Sequence, residues 1–362
     1  MNIGSTDDGT SLFGNIDGTN HSYSETLLRK TGIHLSAITG TANAFSFHGS
    51  IFTFMSSTNH YGNNWIADGQ PISYQGYHVT NATHITFMGS AINGNSTGTG
   101  TVYYTDGTSS PYTLSFTDWC ASTAQFGNLP IFTLPYRNTP FGQQSIKNNI
   151  YYAEAAIDPT KTLQSITLPK TTGGQMHIFD FSYRVGPFNN IGGTIDEDLQ
   201  QIQNFDGQHN GYSYDALSAA GLPKGSVTIN GVNFNWRSAA DGNADNYQAS
   251  GQVVPVTPVA QAKTLAFLGA STGGAASGTA TITYTDGSQQ TFTLGLTDWC
   301  APTVAYNNRV AAAATYRRTP HGNQTIKTSV YYTDVALQSG KTIKSVTLPT
   351  NGQIHIFDIS TK

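Results

Sequence analysis

An acidic residue stands next to tryptophan in a block of five residues, Thr-Asp-Trp-Cys-Ala, that occurs twice in the chain. Asp118 and Asp298 hold the same place in the two copies, and an arginine follows each of them 19 residues later, at Arg137 and Arg317. Carboxylate and guanidinium groups form strong bidentate pairs. We therefore predict a salt bridge in each copy, with binding of a polar ligand and catalysis as the two alternatives.

Hydrolysis of a glycosidic bond needs two carboxylates about 5 to 9.5 Å apart, and Asp118 and Asp298 are the acids best placed for it. Several other matched acids precede glycine, which is typical of turns. Glu154 and Asp334 also correspond, but they differ in length. Zinc, Walker and nucleophile-elbow motifs are absent from the sequence. We therefore assign no catalytic residue.

Binding residues are sought in the loops that differ most between the copies. These loops are residues 121–136 against 301–316, and residues 56–65 against 237–247. Loops on a rigid scaffold usually determine specificity, and aromatic rings beside amides and carboxylates suit carbohydrate hydroxyl groups. The predicted ligand-binding residues are Asn64, Trp65, Asp118, Tyr136 and Arg137 in the first copy, and Asn246, Tyr247, Asp298, Tyr316 and Arg317 in the second.

Two acidic clusters offer oxygen atoms to a cation. They are Asp7-Asp8 and Asp196-Glu197-Asp198, and neither has the spacing of an EF-hand. Capping residues and solvated turns explain these clusters equally well. No metal site and no cofactor are predicted, and a structural calcium ion at these clusters is the alternative.

The motifs recur because the chain contains an internal duplication. Residues 101–169 match residues 281–349 without a gap at 31 of 69 positions. The similarity extends back to Asn2-Ile3-Gly4, which corresponds to Asn190-Ile191-Gly192. A period of about 180 residues is that of a whole domain and not of a solenoid repeat. The sequence predicts two domains, residues 1–185 and residues 186–362.

Alternating apolar residues and turn dipeptides predict strands through most of each copy. Residues 100–104, Asp106-Gly107 and residues 112–116 have the pattern of a β-hairpin, and this pattern recurs over residues 279–296. Short helices are predicted only at residues 24–30 and 214–220. With about eight strands in each copy, the fold class is all-β, with two tandem Ig-like or jelly-roll β-sandwich domains from the duplication.

The composition is typical of a secreted, turn-rich chain. Only 10% of residues are charged, the net charge is −4, and there are 38 Gly, 19 Tyr and 18 Phe. This balance gives no electrostatic attraction for nucleic acid, and no apolar stretch is long enough to cross a bilayer. The first residues lack the pattern of a signal peptide. The sparse charge and the turn-rich composition nevertheless favour a secreted or cell-surface protein, and we expect that it binds no nucleic acid and does not insert into membranes.

The motifs taken together resemble a known type of module. The second copy contains, in order, FNNIGxTxD, NFDGxxxxYS, YTDG, DW, YRxTPxGxQ, KTxxSVTLP and HIF, and the first copy shares much of this pattern. The pattern is similar to that of accessory β-sandwich modules of secreted bacterial proteins, which are often joined to glycoside hydrolases. This resemblance implies a carbohydrate-associated β-sandwich and identifies no catalytic residue.

The predicted function is therefore that of a non-catalytic tandem protein that binds carbohydrate or assists a glycoside hydrolase, with a polysaccharide or glycan as partner. Two copies on one chain would strengthen binding through effective concentration. One alternative is a structural, adhesive or fibre-forming protein of the cell surface that self-associates. A second alternative is an unrecognised glycosidase that uses Asp118 or Asp298.

Overall fold

The computed structural model describes residues 2–9, 13–31, 44–57, 62–73, 78–198, 202–237 and 242–362. The chain divides into two compact units, residues 1–186 and residues 187–362. Nearly all regular structure in both units is β-strand, which confirms the predicted all-β sandwich class.

The first unit contains fourteen strands and one helix among the described residues. In chain order these are β1 (Ser5–Thr6), β2 (Tyr23–Ser24), α1 (Glu25–Lys30), β3 (Phe45–Phe47), β4 (Ser50–Phe52), β5 (Trp65–Ile66), β6 (Pro71–Ser73), β7 (Ala82–Tyr104), β8 (Ser109–Phe116), β9 (Leu129–Leu134), β10 (Arg137–Thr139), β11 (Gly142–Gln144), β12 (Asn148–Ala156), β13 (Leu163–Thr167) and β14 (Lys170–Val185).

The second unit repeats this order in the described part of the chain. Its elements are β15 (Gly193–Thr194), β16 (Gly211–Ser213), α2 (Tyr214–Ala219), β17 (Gly225–Ile229), β18 (Val232–Trp236), β19 (Tyr247–Gln248), β20 (Val253–Pro255), β21 (Thr264–Ser271), β22 (Ala276–Tyr284), β23 (Gln289–Leu296), β24 (Arg309–Ala314), β25 (Arg317–Thr319), β26 (Gly322–Gln324), β27 (Thr328–Ala336), β28 (Ile343–Thr347) and β29 (Ile354–Thr361).

Each unit contains the two sheets of a sandwich. In the second unit, a five-stranded sheet has the order β19-β29-β21-β27-β24 and a four-stranded sheet has the order β20-β28-β22-β23. The first unit has the matching order β5-β14-β7-β12-β9, but its 23-residue β7 continues into the other layer, where it pairs with β8 and β13. We call the five-stranded layer of each unit the central sheet. The predicted hairpins are confirmed as β7–β8 and β22–β23.

The central sheet of the first unit is buried on both faces. Side chains alternate between the two faces of a sheet along each strand. Ile178 accordingly packs with Phe116 inside the sandwich, whereas the next residue, Phe179, packs with Tyr23 on the opposite face. Two separate apolar clusters therefore share one sheet.

A covering layer closes the outer face of the central sheet. In the first unit it consists of the N-terminal segment, α1 and the β3–β4 hairpin. The hydroxyl group of Tyr23 donates a hydrogen bond to the carbonyl oxygen of Asn149 on β12 at 2.7 Å, and Tyr212 donates to that of Ser329 at 2.8 Å. The sequence predicted the sandwich without this layer.

The two helices of the described part lie at the predicted positions. Ser24 and Ser213 are their N-cap residues, and each side chain accepts a hydrogen bond from a backbone N–H three residues later at 3.0 Å. Each helix has six residues, and no helix of the described part is long and apolar enough to cross a membrane.

A buried asparagine and histidine join the start of each unit to its last strand. Nδ1 of His177 lies 2.7 Å from Oδ1 of Asn64, and Nδ1 of His355 lies 2.9 Å from Oδ1 of Asn246. All four side chains are fully buried. Burial lowers the pKa of His177 to about 4 and that of His355 to about 3, so both imidazoles are neutral at pH 7 and donate through Nδ1.

A carboxyl group lies beside this pair in the second unit. Oδ1 of Asp245 accepts hydrogen bonds from the backbone N–H of Gly192 and from Nδ2 of Asn246, whereas Oδ2 has no partner among the described residues. Burial raises the pKa of Asp245 to about 7. The matching residue of the first unit is Asn63, whose Oδ1 accepts the same backbone hydrogen bond from Gly4 at 2.9 Å.

We expect Asp245→Asn to remove a loss of stability that the wild type undergoes as the pH rises from about 4 to about 7. The pKa of Asp245 is raised in the folded state, so its stabilising contribution is complete below about pH 4 and is lost as the pH rises through about 7. Between about pH 5 and about pH 8, the free energy of unfolding of the variant should fall less than that of the wild type, by on the order of 1 kcal/mol or more. Melting temperatures across this pH range would measure the difference.

Asn63→Asp is the matched control for this prediction. It places a carboxyl group at the same position of the first unit and should introduce the loss that Asp245→Asn removes. Melting temperatures of Asp245→Asn that follow the wild-type pH dependence would contradict a buried, protonated Asp245.

Candidate functional site

The aspartates of the TDW blocks close turns. Oδ1 of Asp118 accepts a hydrogen bond from the backbone N–H of Cys120 and Oδ2 from that of Gly94, both at 2.9 Å. Asp298 accepts backbone hydrogen bonds from Cys300 and Gly274 in the same way, both at 2.8 Å. These carboxylates therefore join the turn of the TDW block to the neighbouring backbone of each unit.

Arg137 and Arg317 pair with acids other than the predicted ones. Nη1 of Arg137 lies 3.7 Å from Oδ2 of Asp17, and Nη1 of Arg317 lies 3.8 Å from Oδ2 of Asp206. Each guanidinium also lies over the tryptophan of its TDW block, 5.3 and 5.6 Å from the ring centroid. The structure brings each arginine next to the block, but the predicted salt bridges to the adjacent aspartates are wrong.

Tyr136 and Tyr316 hold acids of the N-terminal segments. The hydroxyl group of Tyr136 donates to Oδ2 of Asp8 at 2.6 Å, and that of Tyr316 donates to Oδ2 of Asp196 at 2.6 Å. Oδ1 of each acid accepts from the N-cap serine of the helix. Oxygen atoms of the two acidic clusters, which were the alternative calcium site, thus already accept hydrogen bonds. The described residues contain no group of three or more acidic, histidine or cysteine side chains that could hold a metal ion.

The predicted residues of the second variable loop belong to the interior of the fold. Asn64 and Asn246 are the buried asparagines described above. Trp65 packs half-buried against the sandwich core, and Tyr247 is buried with its ring centroid 4.7 Å from that of Phe188. Residues 58–61 and 238–241 of these loops lie outside the described residues.

The first variable loop exposes an aromatic ring in each unit. Phe126 is 54% exposed and Tyr306 is 47% exposed. Their φ angles are 57° and 53°, and the residue after each of them also has a positive φ. A side chain other than glycine in this left-handed region costs roughly 1–2 kcal/mol. We call these segments, residues 125–128 and 305–308, the aromatic turns.

A buried asparagine anchors each aromatic turn. Oδ1 of Asn128 accepts hydrogen bonds from the backbone N–H and the hydroxyl group of Thr117, at 2.7 and 2.9 Å. Asn308 binds Thr297 in the same way, both at 2.8 Å. Because strain of this kind persists only where the surrounding structure enforces it, and is frequent at functional sites, the aromatic turns are the candidate functional site.

A cleft of about 330 Å³ lies beside the aromatic turn of the first unit. Its volume is at the lower end of the range for small-molecule sites. One wall comes from β8, one from the turn and one from β12. The lining residues are His48, Thr113, Leu114, Ser115, Phe126, Gly127, Asn128, Leu129, Tyr152, Ala153 and Glu154.

Glu154 supplies a carboxylate to this cleft. Nη2 of Arg184 lies 3.0 Å from Oε2 of Glu154, and the hydroxyl group of Tyr152 donates to the same oxygen at 2.5 Å. Burial alone would raise the pKa of Glu154, but the charges of Arg184 and His84 outweigh it and hold the pKa below its usual value. Burial lowers the pKa of His48 to about 4. At pH 7 the cleft therefore offers an ionised carboxylate and a neutral imidazole.

One substitution between the units changes how the exposed ring lies. A Cβ atom at Gly295 would be 2.6 Å from the ring of Tyr306, so this ring rests directly on the backbone of β23. The first unit has Ser115 at that position, with its hydroxyl group 2.9 Å from that of Thr97. The side chain of Ser115 prevents Phe126 from resting on the strand in the same way, and both residues line the cleft.

Comparison of the two copies of the sequence identified this loop as variable but did not identify its aromatic residues as candidates. Phe126 and Tyr306 are matched in the two copies, and each stands two positions before an asparagine. The intervening Gly127 and Asn307 are of types that tolerate a positive φ. The sequence therefore contained enough information to predict a turn with exposed aromatic residues, but not the left-handed backbone of these residues.

Comparisons with known proteins support the architecture of the second unit. Residues 183–362 match the family model of an AziU2-like β-sandwich domain. This match supports a β-sandwich module and gives no link to accessory modules of glycoside hydrolases. No curated protein matches the chain.

Similarity to solved structures is weak. Oxalate decarboxylase from Bacillus subtilis is 9% identical, with 86% of this chain and 76% of that chain covered and a TM-score of 0.14. The formate complex of Lactobacillus farciminis oxalate decarboxylase is 9% identical, with 89% and 86% covered and a TM-score of 0.12. Vicilin from Capsicum annuum is 9% identical, with 89% and 86% covered and a TM-score of 0.10. Scores this low carry no argument about fold or function.

We expect Phe126→Gly to be more stable than Phe126→Ala. Both variants remove the ring, but only glycine adopts the left-handed backbone without strain, so the difference should be about 1 kcal/mol. Calorimetric unfolding of the full chain would measure it. The pair Tyr306→Gly and Tyr306→Ala repeats the comparison in the second unit, and an alanine variant as stable as its glycine partner would show that the turn is not strained.

Proposed function

We propose that the protein binds carbohydrate without catalysis, through the aromatic turns of its two units. The observation that carries this proposal is the pair of exposed rings, Phe126 and Tyr306, held in strained backbone by buried asparagines. Exposed aromatic rings on a rigid scaffold provide contact area for the apolar faces of sugars and lose little conformational entropy on binding.

The chemistry of the first cleft suits a sugar ring. Phe126 and Leu129 offer exposed apolar surface, while Thr113 and Ser115 offer hydroxyl groups. Glu154 is an ionised acceptor for sugar hydroxyl groups. Apolar contact next to a few fixed polar groups is the usual composition of a small-molecule site.

The same cleft favours binding over hydrolysis. Glu154 is the one carboxylate among its described lining residues, and it is paired with Arg184. Glycosidases of the usual kind use two carboxylates flanking the bond. Asp118 and Asp298, the acids of the glycosidase alternative, accept backbone hydrogen bonds through both oxygens.

Two binding units on one chain suit a polymer. Each unit carries one aromatic turn, so simultaneous contact with one polysaccharide would raise the apparent affinity. A secreted or cell-surface location is part of this proposal, because the polysaccharides that would engage both units are found there.

We expect the double variant Phe126→Ala, Tyr306→Ala to bind polysaccharide at least about tenfold more weakly, which corresponds to about 1.4 kcal/mol. The loss follows from the missing ring contacts. Immobilised neutral and anionic polysaccharides of plant, microbial and animal origin would be tested with the full chain, and released reducing sugar would be measured in the same wells.

Phe141→Ala is the matched control. Phe141 is 99% exposed at the turn between β10 and β11 and does not line the cleft. Its removal should leave binding unchanged. Equal binding by wild type and double variant, or no binding to any polysaccharide, would refute the proposal and favour the structural or adhesive alternative, whereas released sugar would favour a glycosidase.

A further inference from the structure

The exposed residue directly after each aromatic turn differs in charge between the two units. Leu129 follows the anchoring asparagine in the first unit, and Arg309 follows it in the second. Both residues begin an edge strand of the central sheet, and both face a tyrosine across the ladder, Tyr152 and Tyr332. The second unit therefore presents a cation where the first presents an apolar side chain.

The guanidinium group of Arg309 is available to a ligand. Arg309 is exposed, and its Cζ atom lies 6.0 Å from the ring centroid of Tyr332. No carboxylate of the described residues lies within 4.0 Å of it. The arginines at positions 29, 137, 184 and 317, in contrast, each have a carboxylate partner.

This face also contains an exposed acid, Asp334. Asp334 corresponds to Glu154 and accepts a hydrogen bond from the hydroxyl group of Tyr332 at 2.5 Å. Both faces thus contain one carboxylate and one guanidinium. They differ in the guanidinium group, because the side chain of Arg184 is only 7% exposed, whereas Arg309, like Asp334, is open to solvent.

We infer that the aromatic turn of the second unit binds anionic sugars, with Arg309 pairing the carboxylate or sulfate ester and Tyr306 contacting the sugar ring. Arginine matches both groups through two parallel hydrogen bonds. The first unit, with Leu129 in this place, takes neutral sugars. This inference rests on the proposed function and assigns a different sugar class to each unit, so a polysaccharide that engages both units would contain neutral and anionic sugars.

The test uses pairs of polymers that differ only in charge. Polygalacturonate is compared with its fully methyl-esterified form, and dextran sulfate with dextran, by calorimetry on the full chain at low ionic strength. The wild type should bind at least one charged polymer about tenfold more tightly than its neutral partner. A preference for polygalacturonate would indicate that Arg309 pairs with a carboxylate, and a preference for dextran sulfate would indicate a sulfate ester. No preference in either pair would overturn the inference.

Variants show which residues cause the preference for charged polymers. Arg309→Leu, which copies the first unit, should abolish the preference, and Arg309→Lys should retain part of it. Leu129→Arg should increase it, because a second cationic face is created. Tyr306→Ala should weaken binding of the charged polymer as well. A preference that persists in Arg309→Leu would overturn the inference.

The outcomes separate this inference from the proposed function. If Phe126→Ala weakens binding of neutral polymers while Arg309→Leu keeps the charge preference, only the inference fails. If neither aromatic variant changes binding to any polymer, the proposed function fails and the inference fails with it. Melting temperatures of all variants show whether loss of folding is the cause. Arg309 is exposed and contacts the ring of Tyr332, so we expect these melting temperatures to change little.

Discussion

Burial of the central sheet on both faces is the constraint on which each unit depends. A sheet with apolar side chains on both faces must be covered twice, once by the other sheet and once by a further layer. The N-terminal segment, the short helix and the small hairpin supply that further layer. The buried hydroxyl groups of Tyr23 and Tyr212 then have to find partners inside the fold, and the backbone of the neighbouring strand provides them.

The same constraint explains why most predicted binding residues make contacts within the fold. The covering layer is joined to the sheet by polar side chains, and these are the ones that recur in both copies. Asn64 and Asn246 hold the last strand through histidine, while Tyr136 and Tyr316 hold the acids of the N-terminal segment. A duplicated polar residue therefore indicates a shared scaffold at least as often as a shared site.

The fold was predictable from the sequence because its signals are local. Asp106-Gly107 between alternating runs specified a hairpin, which the structure has as β7–β8. The partners of Arg137 and Arg317 were not predictable, since Asp17 and Asp206 lie more than 100 residues away in the chain and are brought near only by the covering layer. The cleft was not predictable from the sequence either, because Glu154 and Phe126 both line it but come from different segments at the edge of the sheet.

The passage of the chain between the two layers has a consequence for how each unit responds to force and heat. In the first unit β7 runs through both layers, so one layer cannot slide over the other without breaking hydrogen bonds in both. β7 has positive φ angles at Asn93 and Gly94, and the segment between β21 and β22 has them at the corresponding Gly273 and Gly274. In both units the backbone N–H of the second of these residues donates to the aspartate of the TDW block. Pulling the two layers of either unit apart therefore also has to break the hydrogen bond that this aspartate accepts.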